Sequence, residues 1–200
     1  NTIHIKTLSL TLNAGQQLGV VKDDSLSASL LSKIIAGLIK PTNGTIHYDG
    51  KTLEELAEKN KFLNTIYCSE TDQLNGTSLE EVLHTTPKEL NTLLETLNLE
   101  DFFKNQSLSD SDSTSRSKTP ISNNTLSQTN KQLLIILRAI LSKPSLLIID
   151  YFHSLPKTIT NSISDYLNSI STTTIWLDTT IDHLSHCNSI MGFNQSLIAP

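Results

Sequence analysis

The chain has 200 residues, a net charge of −5 and 37% apolar residues, enough to bury one hydrophobic core without disulfide support. The acidic balance, with no basic stripe, argues against a nucleic-acid-binding surface, which needs a cationic surplus to pair with phosphates. Cys68 and Cys187 stand apart, with no His or Cys partner at metal-ligand spacing, which speaks against a zinc framework and fits a reducing compartment.

In chain order, "IHIKTLSLTL" (3–12) alternates and is rich in β-branched residues, so it reads as a strand, with "NAGQ" as the turn that follows. "QLGVV" (17–21) is a short buried strand. After the loop 22–27, Leu30, Leu31, Ile34, Ile35 and Leu38 recur at helical spacing until "GLIKPTNG" stops the helix. "TIHYDGKTL" (45–53) reads as an edge strand and turn, and "FLNTIYCS" (62–69) as another strand. From 78 to 103 the pattern is helical, with Leu90, Leu93, Leu94, Leu97 and Leu99 on an apolar face. Residues 107–124 are polar and turn-rich, which predicts a solvated loop; a phosphorylation-regulated or partner-binding segment is the sharper but weaker reading.

"NKQLLIILRAILS" (130–142) is a strongly apolar helix, and "PSLLIID" (144–150) a buried strand ending in a carboxylate. "TNSISDYLNSI" (160–170) puts Ile163, Tyr166, Leu167 and Ile170 on one helical face. "TTTIWLD" (172–178) is a further buried strand, and "SIMGFNQSLI" (189–198) a hairpin. Strands that are short apolar runs, alternating with helices, predict an α/β fold with a mainly parallel sheet covered on both faces. No apolar run approaches the roughly 20 residues of a membrane helix. The segment itself is expected to be soluble. A start at Asn1, entering a strand-like segment at once, reads as a domain from a longer protein.

A strand, a loop and an amphipathic helix form the setting in which backbone N–H groups and a helix dipole hold phosphates. Such a loop needs glycines, a Lys for the β- and γ-phosphates, and a Ser or Thr for magnesium. "KDDSLSAS" (22–29) offers only Ser29, while Asp23 and Asp24 bring negative charge. Taken alone, this stretch is better read as an ordinary strand-loop-helix. "LLIID" adds Asp150 at a strand end, a position that suits a magnesium-holding carboxylate.

The specific signal is "TLSQTNKQLLIILRAILSKPSLLIID" (125–150), which resembles the signature region of an ATP-binding cassette (ABC) transporter ATPase domain: "LSGGQ", a helix ending in Arg-Ala, a "KP" turn and the Walker B strand. Leu126, Ser127, Arg138, Ala139, Lys143, Pro144 and Asp150 keep that order without a gap. "SETDQLNGTSLEEV" (69–82) is similar to the segment after the Q-loop in exporter-type and type I secretion cassettes. The likeness extends over the chain apart from the polar loop. It implies a phosphate-loop ABC ATPase core with an antiparallel β subregion and a helical subdomain: one domain over 1–200, with 1–68 and 126–200 as core and 69–125, including loop 107–124, as the helical part.

The resemblance implies ATP and magnesium as cofactors, with Ser29 and Asp150 on the metal. It implies a transmembrane domain and a second nucleotide-binding domain, identical or different, as partners, and a location at the cytoplasmic face of a membrane. Departures then stand out. Ala28 takes the Walker A Lys position, Ser25, Ser27 and Lys22 those of three glycines, and Leu30 that of the residue after Ser29. Ser69 stands at the Q-loop Gln, and Gln128, Thr129 and Asn130 replace "GGQ". Tyr151 stands at the catalytic Glu; a phenol with a pKa near 10 is a poor general base. Thr179 stands at the switch His. His153 is read as a loop histidine and Trp176 as core. The framework is kept and the chemistry is lost, so the leading expectation is a catalytically inactive cassette with a structural or regulatory role in a dimer. A working ATPase with unusual site residues and a non-transport interaction module are the alternatives.

Overall fold

The computed structural model describes residues 8–22, 25–58, 64–105, 121–122, 124–150, 152–192 and 197–198. In chain order these form β1 (Gln17–Val21), α1 (Ser25–Ile35), α2 (Leu53–Glu58), β2 (Thr65–Cys68), β3 (Asn75–Gly76), α3 (Leu79–Leu83), α4 (Pro87–Leu97), α5 (Glu100–Asn105), β4 (Ile121–Ser122), α6 (Gln128–Leu141), β5 (Leu146–Ile149), α7 (Lys157–Ser169), β6 (Thr173–Asp178), a 3-10 turn (Ile181–Leu184), β7 (Ser189–Gly192) and β8 (Leu197–Ile198).

Six strands make one sheet in the order β2-β5-β6-β1-β7-β8. All its pairs are parallel except the closing β7–β8 pair. A parallel strand covered on both faces reads as a continuous apolar run, which is why "QLGVV" and "LLII" were legible. One face carries Leu18, Val20, Ile148, Ile175, Leu177 and Met191 and packs against Ala28 and Leu31 of α1. The other face carries Cys68, Leu147, Ile149, Trp176 and Ile190 and joins the apolar residues of α6, α7 and α3–α5 in one larger core. Helix α6 lies within that core, with Leu133 to Leu137 all 1% exposed or less; a helix apolar nearly all round has to be interior.

Local signals start and stop the helices. Thr86 and Glu89 form a reciprocal capping box on α4 with Pro87 in its first turn, and Asn98 ends it in the left-handed region. Ser127 caps α6. Inside the sheet, Gln17 Oε1 accepts hydrogen bonds from Trp176 Nε1 at 2.9 Å and Ser164 Oγ at 3.0 Å, while Gln17 Nε2 donates to the Ser164 carbonyl at 2.8 Å. Trp176 is fully buried and edge-on to Phe152 and His186, as expected for a core tryptophan.

Three expectations change. Of the first expected strand, 3–12, residues 3–7 lie outside the described residues and 8–12 carry no regular structure. Leu8, Leu10 and Leu12 nevertheless pack on the α1 face of the core, so the alternation marks a face without forming a ladder. The expected edge strand at 45–53 is reduced to a single Tyr48–Lys51 bridge around a turn, anchored where the Tyr48 hydroxyl donates to the Ile35 carbonyl. At the end of the polar loop, Ile121 and Ser122 pair antiparallel with Gly76 and Asn75; residues 106–120 and 123 lie outside the described residues.

Candidate functional site

Parallel strands gather their carboxyl ends at one edge, where α/β proteins place their ligands. Here Val21 is level with Asp178, Ile149 with Trp176, and Cys68 with Ile149. Lys22, Ser69, Asp150 and Thr179 therefore follow four strands at the same edge. Backbone bonds fix this alignment: Lys22 N–H donates to the Asp178 carbonyl at 2.8 Å, and Asp150 N–H to the Cys68 carbonyl at 3.0 Å.

The centre of the edge is the Asp150 carboxylate, whose side chain is 6% exposed. Lys22 Nζ lies 2.8 Å from Oδ1, and the Lys22 side chain is 15% exposed. Ser29 Oγ donates to Oδ2 at 2.5 Å, and the Tyr67 hydroxyl donates to the same oxygen at 2.7 Å. Both carboxylate oxygens are thus engaged, by one cation and two hydroxyls drawn from β1, α1 and β2. Burial and the adjacent Asp150 carboxylate push the Tyr67 phenol well above its ordinary value of 10, so it remains a neutral donor.

Ser29 and Asp150, expected to share a magnesium ion, are in direct contact with each other. The donor set as folded does not fit a divalent cation. Magnesium would sit about 2.0–2.1 Å from a carboxylate oxygen and needs oxygens turned toward it. The ammonium of Lys22 sits against that carboxylate, and the hydroxyls of Ser29 and Tyr67 point their protons at it.

The remaining predicted positions are dispersed. Ser25 and Ser27 lie in the first turn of α1. Ala28 is fully buried against the α1 face of the sheet, and Leu30 is half-buried. Ser69 closes a tight turn, with its N–H and hydroxyl both near the Asp72 carboxylate at 3.3–3.4 Å. Ser127 caps α6 by accepting from Asn130 N–H, Gln128 is exposed, and the Thr129 hydroxyl donates to the Ser154 carbonyl at 3.2 Å. Gln132 Oε1 accepts from Ser154 N–H at 2.9 Å. The start of α6 is therefore tied to the loop after Asp150. Thr179 is exposed beside the buried Asp178, whose carboxylate takes Thr180 N–H at 2.8 Å and faces His183 Nδ1 at 3.2 Å. His153 is exposed in a turn, and Tyr151 lies outside the described residues.

Sequence reasoning missed the parts played by Lys22 and Tyr67. The available signal was positional: a Lys directly after β1 and a Tyr one residue before the end of β2 stand at the same sheet edge as the Asp that follows β5. Beside the edge, a cleft of about 250 Å³ is lined by residues of β2 and α6 with Asp72 and His84. Lys131 Nζ and Arg138 Nη1 on α6 donate to the Glu70 and Gln73 carbonyls, holding the segment after Ser69 to the helix.

Comparison with known proteins identifies the family. The family model described as ABC transporter matches residues 5–151. The putrescine export system ATP-binding protein SapF of Escherichia coli K12 is 30% identical over 93 residues, 46% of this chain and 35% of the relative. The energy-coupling factor transporter ATP-binding protein EcfA1 of Mycoplasma mobile is 32% identical over 82 residues, 38% of this chain and 29% of the relative. The probable iron export ATP-binding protein FetA of E. coli K12 is 22% identical over 192 residues, 94% of this chain and 83% of the relative. The matched part thus spans about a third of the length of SapF and EcfA1. Among the described residues no helix is long and apolar enough to cross a membrane. With its parallel sheet, helices on both faces and a family match from residue 5 to residue 151, the chain belongs to the ABC transporter family, in the class of its ATP-binding domains.

Proposed function

We propose that this domain is a catalytically inactive ABC cassette that acts as a structural or regulatory partner in a cassette dimer coupled to a membrane domain. The observation that carries this reading is Ala28. At the position where the family places its phosphate-binding Lys, a methyl group is sealed in the core with 0% exposure, and α1 already begins at Ser25. No cation can reach a polyphosphate from there. The Ser at 25 and 27 replace glycines that would let backbone N–H groups turn inward. Thr179, exposed at the strand end, has no proton chemistry near neutral pH.

The parts a cassette needs for assembly are kept. One core unites α3–α5 with α6 and β5, consistent with one domain over 1–200 in which 69–125 is the helical part. Ser69, the position through which the resemblance links a cassette to its membrane domain, borders the segment that Lys131 and Arg138 hold in place. A partner cassette, a membrane domain and a site at the cytoplasmic face belong to this reading, which is supported by the family and by relatives named as export and transporter ATP-binding proteins.

Turnover tests the reading. The purified protein is expected to release no phosphate from ATP and magnesium above the no-protein control, and Asp150→Asn to leave that result unchanged. Steady hydrolysis abolished by Asp150→Asn would establish a working ATPase instead. Removing one charge-stabilising donor typically costs about 3 kcal/mol of transition-state stabilisation, so the combined loss of Lys, base and His leaves little room for it.

A further inference from the structure

The family's magnesium and the residues at Asp150 disagree, and the disagreement has a definite form. Asp150 has not been left as a bare carboxylate after the loss of a ligand. Its charge is matched by one ammonium at 2.8 Å, on a side chain 15% exposed, and its second oxygen takes two hydroxyl protons. An ammonium is a compact point charge on a flexible stem. Lys22 leaves the end of β1 with its own N–H fixed to the Asp178 carbonyl of the intervening β6, so its stem reaches across one strand end to the Asp150 carboxylate. The three donors come from three separate elements, and Asp150 from a fourth. The contact therefore joins β1, α1, β2 and β5 at the edge where a metal and a nucleotide would otherwise make the connection.

We infer that Lys22 is a tethered cation that takes the place of the divalent metal, so that this strand-end junction closes without magnesium. The inference deepens the reading of an inactive cassette and rests on it. A second positive ion cannot enter beside the ammonium without expelling it, because two like charges within a few ångströms repel strongly in a partly buried site. The wild-type site then excludes the metal through its own side chain. Removing that side chain should uncover one carboxylate and two hydroxyl oxygens, a hard donor set of the kind divalent cations use.

The test uses metal alone, with no nucleotide, so that its failure is separable from the failure of the inactive-cassette reading: ATP turnover decides the latter, metal at Asp150 the former. In the wild-type protein, Lys22 should react with an amine-directed acylating reagent several-fold more slowly than Lys40, whose side chain is 82% exposed. Magnesium should leave the Lys22 rate unchanged. A Lys22 rate that rises toward that of Lys40 on adding magnesium would mean that metal displaces the ammonium, and would overturn the inference. In parallel, Mn2+ raised to about 1 mM, the weak end of biological cation sites, should show no site in wild type by electron paramagnetic resonance. Lys22→Ala should gain one, lost again in Lys22→Ala/Asp150→Asn. A wild-type Mn2+ site that disappears in Asp150→Asn would overturn it equally, whether or not Lys22→Ala folds.

Discussion

Replacing Lys22 by Met keeps the length of the stem and removes the charge. Asp150 would then be a buried carboxylate, 6% exposed, with two hydroxyl donors on one oxygen and none on the other. Breaking a buried pair from one side costs about 3–5 kcal/mol, because the remaining charge has lost its counter-ion. The two surviving hydroxyl bonds and the 15% exposure of the lysine stem set this case at the lower end, about 3 kcal/mol. For a domain of this size that corresponds to a fall of about 6–12 °C in Tm. The opposite change, Asp150→Asn, should cost less, since a partly exposed ammonium can swing into water. Lys22→Met/Asp150→Asn, which keeps an oxygen to accept from the Ser29 and Tyr67 hydroxyls, should recover most of the loss. Urea unfolding followed by the fluorescence of Trp176, the one tryptophan in the sequence, measures all four. A Lys22→Met loss under about 0.5 kcal/mol, the usual range for surface substitutions, or a double variant as unstable as the sum of the singles, would refute the pairing.

Further outcomes follow from other contacts. Gln17→Leu should cost about 2–3 kcal/mol, because the buried Trp176 N–H and Ser164 hydroxyl lose their shared acceptor, and should alter the Trp176 emission of the folded state. Gly76→Ala would bring a methyl carbon to 2.8 Å from Val82 Cγ2 and 3.2 Å from its backbone nitrogen; a loss of about 1–3 kcal/mol in denaturant melts is expected from such overpacking. His186, packed edge-on to Trp176, is pushed from the ordinary 6.5 down to about 4 by burial. The unfolded chain therefore takes up that proton first, so stability is full above about pH 6.5 and falls as pH drops toward 4. The difference between the wild-type and His186→Phe pH–stability curves should be flat above that window and narrow or reverse within it. A constant difference across the window would contradict the assignment.

The sheet was legible because its strands are apolar on both faces, and a run such as "LLIID" states its own burial. Short pairings were not: Ile121–Ser122 has no periodicity to read, and its register with Asn75–Gly76 is imposed by the packing of α3 and β3 around Gly76. The alternation of Leu8, Leu10 and Leu12 specified a face, which the fold uses, while a ladder needs a neighbouring strand that no local pattern supplies. At the site, Ser29 and Asp150 were legible as a pair because a motif fixes their spacing. Lys22 and Tyr67 were not, since comparison with a motif registers Lys22 only as a missing glycine. The bond that Lys22 makes in its new role appears only when β2, β5, β6 and β1 are set in their sheet order.

The most direct measurement is calorimetric titration of the protein with ATP in the presence of magnesium. A cassette with Ala28 in its core and Lys22 on Asp150 should give no saturable heat in the micromolar range, leaving any affinity weaker than about 1 mM, or −4 kcal/mol. Saturable binding with Kd below about 100 μM, weakened by Asp150→Asn, would contradict the proposal of an inactive cassette whose phosphate-binding position is lost at Ala28.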